Sequence, residues 1–196
     1  MGKRRTFSQY RLIDLLLFAV ITVIFEVIVS KAARVFASQP YSLSIVSAVT
    51  CIVFMRWGLY GCFHAVLGGF LTCYATGGTF DQYIIYMLGN TFSVLSILYL
   101  NKIGSDRVRN SAWLSVIMAG LVALLMQTGR AVVAVIMGNA LDIAVGFILG
   151  DVLSGVFAMV IVGIARKLDG VFEDQKHYLI RINKEEKELE EGFDEG

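Results

Sequence analysis

Long uncharged stretches recur along this 196-residue chain, set apart by single charges or short charged clusters. They run from Arg34 to Arg56, Arg56 to Asp81, Asp81 to Lys102 and Arg109 to Arg130. Each is long enough for one α-helix across a hydrocarbon layer of about 30 Å, which takes roughly 20 residues. Two further runs complete the pattern. Leu12 to Ser30 is apolar apart from Asp14 near its start and Glu26 towards its end, and residues 143 to 165 are interrupted only by Asp151. The expected helices are 12–30, 41–55, 58–75, 83–100, 111–134 and 143–165. A β-barrel does not fit: Ser111 to Gln127 and Gly146 to Ile164 are continuously apolar at helix length, whereas barrel strands are short and alternate. A helix also satisfies its backbone groups internally, which a bilayer demands.

Composition strengthens this reading. Charged residues make up 17% and hydrophobic ones 57% of the chain, against about 25% charged in ordinary soluble domains. The expected fold class is an all-α integral membrane protein, a compact bundle of six transmembrane helices within the lipid bilayer. Lys3, Arg4, Arg5, Arg11, Arg56, Lys102, Arg107, Arg109, Arg166 and Lys167 then fall on one side, and only Lys31, Arg34 and Arg130 on the other. The positive-inside rule places both termini in the cytoplasm, and an odd helix count would split the two basic clusters. Lys3 to Arg5 could open a signal peptide, but the run that follows is a full span, carries Glu26 and lacks a small-residue cleavage signal, so it reads as a retained first helix. Residues 1–168 are the expected transmembrane domain. Residues 169–196 are a charged cytoplasmic tail, too short for a separate folded domain, with Glu185 to Glu191 as a solvated helix extension or a disordered segment.

Small residues suggest how the helices meet. Gly61, Ala65 and Gly69 stand four apart, with Gly68 alongside; Gly146, Gly150 and Ser154, continued by Ala158, repeat the spacing. Such stripes let backbones approach closely, either inside the bundle or against a partner.

Arg130 follows 20 uncharged residues, positions 110–129. A charge there is either a helix-end anchor in water or an intramembrane group kept for a ligand. Glu26, Tyr83, Tyr86, Asn90, Gln127 and Arg130 gather towards the outer helix ends. Asp151 lies deeper, about 12 Å in at about 1.5 Å per residue, and needs an interior partner, a wet cavity or a proton. The tyrosines could equally be an interfacial belt, Glu26 could snorkel outward and Asp151 could belong to a structural polar pair. A cavity joining aromatic surfaces to Asn, Gln, Arg and carboxylates suits a flat heterocyclic solute with a few polar edges. The candidates are Tyr74, Tyr83, Tyr86, Asn90, Gln127 and Arg130, with Glu26 and Asp151 behind them.

No catalytic arrangement emerges. HExxH, GxSxG, Walker A and CxxC patterns are all missing, so the expectation is a non-enzyme with no cofactor of its own and no nucleic-acid partner. Cys51, Cys62 and Cys73 fall in the spans and read as packing residues; with His64 and His177 they form no metal-ligand spacing.

Several soft motifs occur in order: Arg56-Trp57-Gly58 through Gly61, Ala65-Val66-Leu67-Gly68-Gly69, Ala75-Thr76-Gly77-Gly78, then Tyr86, Gly89 and Asn90. With the chain's size and six-helix pattern, this set resembles the substrate-binding S-components of energy-coupling factor (ECF) vitamin transporters, over most of residues 12–180. The resemblance implies capture of a vitamin or related micronutrient from outside a bacterial cell membrane, in a cavity near the outer helix ends, with Tyr83, Tyr86, Asn90 and Arg130 facing the solute. It implies a membrane coupling protein and two cytosolic ATPases as partners, with ATP hydrolysed by those subunits to topple the binding subunit and release solute inward. The chain departs from the family on its first helix, where alanines four apart often mediate docking; here Ala19 stands among bulky residues. The chain is also similar to six-helix membrane proteins of cell-shape machinery, interaction scaffolds that carry no solute. Transport expects an open outer cavity lined by Arg130 and the tyrosines, whereas a scaffold expects those positions packed shut.

Overall fold

The computed structural model describes residues 7–35, 43–168, 171–172 and 180. The expected charged tail, apart from Val171, Phe172 and Ile180, lies outside the described residues. The fold is helical, with no strand among the described residues: α1 (Phe7–Val35), α2 (Val46–Trp57), α3 (Gly61–Thr76), α4 (Phe80–Thr91), α5 (Ser96–Ile103), α6 (Ser105–Asn110), α7 (Ala112–Ile136), α8 (Leu141–Gly150) and α9 (Val152–Ala165). Short 3₁₀ turns, Gly58–Tyr60 and Phe92–Leu95, join α2 to α3 and α4 to α5. Among the described residues five stretches are long and apolar enough to cross a membrane: Ser8–Val29, Val46–Thr76, Phe80–Ile103, Ala112–Ile136 and Leu141–Ala165.

The second stretch is folded back on itself. Gly58, at φ 58°, turns the chain in a left-handed conformation open to glycine. Val46 then lies over Gly68 and the Phe54 ring over Gly61, the pairing of an antiparallel helical hairpin. Its first arm is shorter than the span expected over 41–55: twelve residues make about 18 Å of helix at about 1.5 Å each. Eleven of those twelve, all but Arg56, are buried, because a helix apolar on every side belongs inside a bundle. α2 is therefore the axis of the molecule. Phe54, Met55, Met118, Val122 and Val162 from α2, α7 and α9 build the main core around it, and Ile85, Ala131, Ala134 and Ala144 form a smaller one between α4, α7 and α8. α1 sits outermost, with Leu12, Leu16, Leu17, Ile24 and Ile28 exposed, which is compatible with a helix that faces lipid.

Local chemistry sets several ends. α3 stops at Gly77, φ 74°, and α4 opens with a capping box in which Thr79 and Gln82 exchange side-chain and backbone bonds. Ser111 caps α7 through the Leu114 N–H. The expected last helix is broken between Gly150 and Asp151, where Asp151 leaves helical geometry at φ −102°, ψ 8°.

The glycine stripe on α3 serves two neighbours rather than one flat seam. Gly61 and Gly68 admit α2, whereas a methyl at Gly69 would meet the Tyr86 main chain of α4. A closer approach, absent from the expectations, joins α4 to α7: a methyl at Gly129 would strike the Gly89 carbonyl and the Phe92 ring, and one at Gly89 would strike the Arg130 backbone. The other expected stripe divides between the two alternatives. Ser154 and Ala158 are buried, but methyls at Gly146 and Gly150 would meet nothing within 4 Å, so among the described residues those two glycines face no neighbouring helix.

Paired contacts orient the bundle. At one end Asp14 of α1 receives a forked bond from Arg56 (Nε and Nη2, both 2.9 Å), while the Trp57 indole N–H donates to the same carboxylate. Arg56 also donates to the Val171 carbonyl at 2.9 Å, Arg109 to the Met55 carbonyl at 2.9 Å, and Arg166 to the Asn110 carbonyl. Bonds from Ser44 to Glu26 and Ser154, and from Gln127 to Asp151, lie at the opposite end.

Candidate functional site

The polar cluster is assembled from α1, α4, α7 and the break between α8 and α9. On α7, Gln127 and Arg130 stand three apart and share a face. Arg130 is only 4% exposed, and its guanidinium is held on several sides. Nε donates to Asn90 Oδ1 at 2.8 Å, Nη1 forms an ion pair with Asp151, and the Tyr86 ring lies beneath it with the centroid 4.3 Å away. Asn90 is itself fixed, because its Nδ2 donates to the Ala65 carbonyl at 2.9 Å. Tyr86 is braced edge-on by Phe147. Asp at the start of a helix usually caps its own N–H groups; Asp151 instead gives its carboxylate to Arg130 and its main-chain carbonyl to Gln127 Nε2, 2.7 Å away.

Glu26 is as buried as Arg130, at 2% exposure. Its Oε1 accepts from the Ser44 hydroxyl (2.7 Å) and the Ile45 N–H (3.0 Å), and Oε2 from the Thr72 hydroxyl (3.2 Å). The side chain therefore turns inward and does not snorkel. Its bonds join α1 to the start of α2 and the end of α3. Ser154 supplies a second tie to the start of α2, accepting from the Ser44 N–H at 3.1 Å.

Between α2, α7 and α9 lies a recess of about 10 Å³ lined by Ser44, Val46, Ser47, Ala123, Met126, Gln127, Arg130, Asp151 and Ser154. A void of that size holds about one water. It is polar at the Arg130 end and apolar at Val46, Ala123 and Met126.

Of the residues singled out from sequence, Glu26, Tyr86, Asn90, Gln127, Arg130 and Asp151 are drawn into this network or its immediate support. Tyr74 and Tyr83 are not. Tyr74 is 69% exposed and stacks on Phe70, and Tyr83 packs against the same Phe70 ring. That places them on an aromatic outer surface, as an interfacial belt requires. Sequence reasoning missed Ser44, Ser47 and Thr72. The spacing of Ser44 and Ser47, three apart at the start of an apolar helix, was the only available signal. Among the described residues no three His, Cys, Asp or Glu side chains gather as a metal site, and Cys51, Cys62 and Cys73 are free thiols. No protein-family model, curated protein or solved structure matches the chain.

Proposed function

We propose that the chain is the solute-binding membrane subunit of an ECF-type importer, taking up a vitamin or related heterocyclic micronutrient. What carries this reading is the convergence of Glu26, Asn90, Gln127, Arg130 and Asp151 on one end of an otherwise apolar bundle, beside a recess. Ionisable side chains inside membrane-crossing helices are expensive, and function is their default explanation. In this reading α1, α2, α3, α4 with α5, α7, and α8 with α9 are six crossings of a bacterial cell membrane. The end bearing Arg56, Lys102, Arg107, Arg109, Arg166 and Lys167 faces the cytoplasm by the positive-inside rule, as do both termini, and the recess faces outward. This chain binds solute only; a coupling protein and two cytosolic ATPases supply the ATP-driven step. Seating a ring requires the recess to widen, and Val46 and Met126 are the bulky apolar side chains in its wall.

A second reading, a non-transporting membrane scaffold, is favoured by the water-sized recess and by the outward placement of Tyr74 and Tyr83. Native mass spectrometry of protein purified without added solute separates the two. Import expects a small molecule retained by the wild type and lost from folded Arg130→Ala protein. Wild-type protein that emerges bare, with Arg130→Ala identical to it, supports the scaffold.

A further inference from the structure

The groups lining the recess specify a ligand edge once each side chain's commitments are followed. Arg130 has five N–H donors. Nε serves Asn90 and Nη1 serves Asp151; among the described residues nothing accepts from Nη2, and Arg130 lines the recess. With Arg130 at 4% exposure, this is a buried cationic donor in the wall of a cavity. Gln127 is equally well defined. Only its NH₂ can donate to the Asp151 carbonyl, so the 2.7 Å bond turns Oε1 the other way, and no described group donates to that oxygen. Ser47, 6% exposed, adds a hydroxyl with no bonded partner among the described residues.

The charge balance narrows the choice. Arg130 and Asp151 contribute one positive and one negative charge at the recess, and the Glu26 carboxylate, near enough to Arg130 to feel its charge, stands behind the lining with its oxygens bonded to Ser44, Ile45 and Thr72. An anion would sit beside the Asp151 carboxylate and a cation beside the Arg130 guanidinium, so an uncharged group leaves the pair undisturbed. Nη2 calls for an acceptor and Gln127 Oε1, one turn along the same helix face, for a donor. The two complementary atoms must therefore be neighbours on the ligand.

We infer that the recess receives the cis-amide edge of a neutral solute, a carbonyl with an N–H beside it, as in a lactam or cyclic imide. Arg130 Nη2 donates to the carbonyl and Gln127 Oε1 accepts from the N–H, with Ser47 able to serve either atom. The inference rests on the solute-binding reading above and deepens it. In the space of about 10 Å³ the carbonyl oxygen takes the volume of one water, and the ring stays on the side of Val46 and Met126.

The test uses the full chain purified in lipid nanodiscs, with uracil and 2-pyridone as free-edge probes and 1,3-dimethyluracil and N-methyl-2-pyridone as blocked ones, followed by ligand-observed NMR and thermal shift. The free-edge probes are expected to bind at least tenfold more tightly than their methylated counterparts. Gln127→Met should remove that discrimination while unfolding as cooperatively as the wild type. Equal binding of free and methylated probes, or full discrimination by Gln127→Met, overturns the inference. So does a solute retained from the cell that lacks such an edge, an outcome that leaves the import reading standing. If no probe binds and no solute is retained, both fall together.

Discussion

Asp151→Leu should be among the most damaging single substitutions in the chain. The side chains of Arg130 and Asp151 are 5% and 11% exposed, so removing the carboxylate leaves a buried guanidinium with one neutral acceptor, Asn90 Oδ1, one aromatic ring and only the more distant Glu26 carboxylate for charge balance. Breaking a buried pair from one side typically costs about 3–5 kcal/mol, because the surviving charge is uncompensated. For a chain of this length each kcal/mol shifts the unfolding midpoint by about 2–4 °C. The expected drop is therefore roughly 6–20 °C. The double variant Arg130→Met/Asp151→Leu removes both charges at near-constant volume and should recover most of that loss, to within about 2 kcal/mol of wild type, since apolar replacement of a buried pair is often neutral or stabilising. Cys51 is fully buried and Cys73 2% exposed, so with the half-buried Cys62 replaced by serine a thiol-reactive fluorophore reports unfolding without an added probe site. If Asp151→Leu melts within about 2 °C of wild type, a shift worth less than about 1 kcal/mol, the pair is not desolvated and the reasoning fails. A double variant no better than the worse single variant would refute it equally.

Gly129→Ala places a methyl against the Gly89 carbonyl and the Phe92 ring and should destabilise by about 1–3 kcal/mol through overpacking, whereas Gly146→Ala, with open space around it, should be stabilising by up to about 1 kcal/mol from helix propensity; the same thiol-labelling melts compare them. Glu26→Leu strands the Ser44 hydroxyl and the Ile45 N–H, at about 1–3 kcal/mol for each buried donor left unpaired, while the Thr72 hydroxyl keeps the Gly68 carbonyl as acceptor; Glu26→Gln keeps an acceptor and should lose far less, and equal losses in the two variants would contradict the bonding described. Asp14→Ala removes the forked bond to Arg56 at the basic end and should lower stability by about 1.5–3 kcal/mol, the range for hydrogen bonds to charged groups, while solute retention measured by native mass spectrometry stays unchanged.

Much of the bundle was legible because charge is so costly in hydrocarbon that uncharged gaps mark helices almost directly. The same economy exposed Arg130 and Asp151, which stand out in apolar runs. Their partnership did not stand out, since 21 residues separate them and only tertiary packing brings α9 beside α7. The break at Gly150–Asp151 was equally hidden, because an apolar run reads alike whether straight or kinked. Tyr74 and Tyr83 stayed ambiguous for a related reason: an aromatic ring with a polar tip suits a binding cavity or a membrane interface, and composition does not say which. Glu26 was read as able to snorkel, but the hydroxyls of Ser44 and Thr72 hold it inside. Asp14 passed as a helix-start charge; its pairing with Arg56 and Trp57 depends on α1 lying antiparallel to α2, which no local pattern announces.

The glycine crossing of α4 and α7 has a consequence for movement. Two backbones in contact at Gly89 and Gly129 have no side-chain cushion to compress, so this pair behaves as a fixed jamb carrying Asn90, Gln127 and Arg130. Any enlargement of the adjoining hollow must come from the opposite leaf, the start of α2 with Ser44 and Val46 or the start of α9 with Ser154. Both are tied at Ser44, whose hydroxyl and amide reach Glu26 and Ser154, so α1 and the starts of α2 and α9 would shift as one leaf, and the bonds from Gln127 and Arg130 to Asp151 are what fasten that leaf to the jamb.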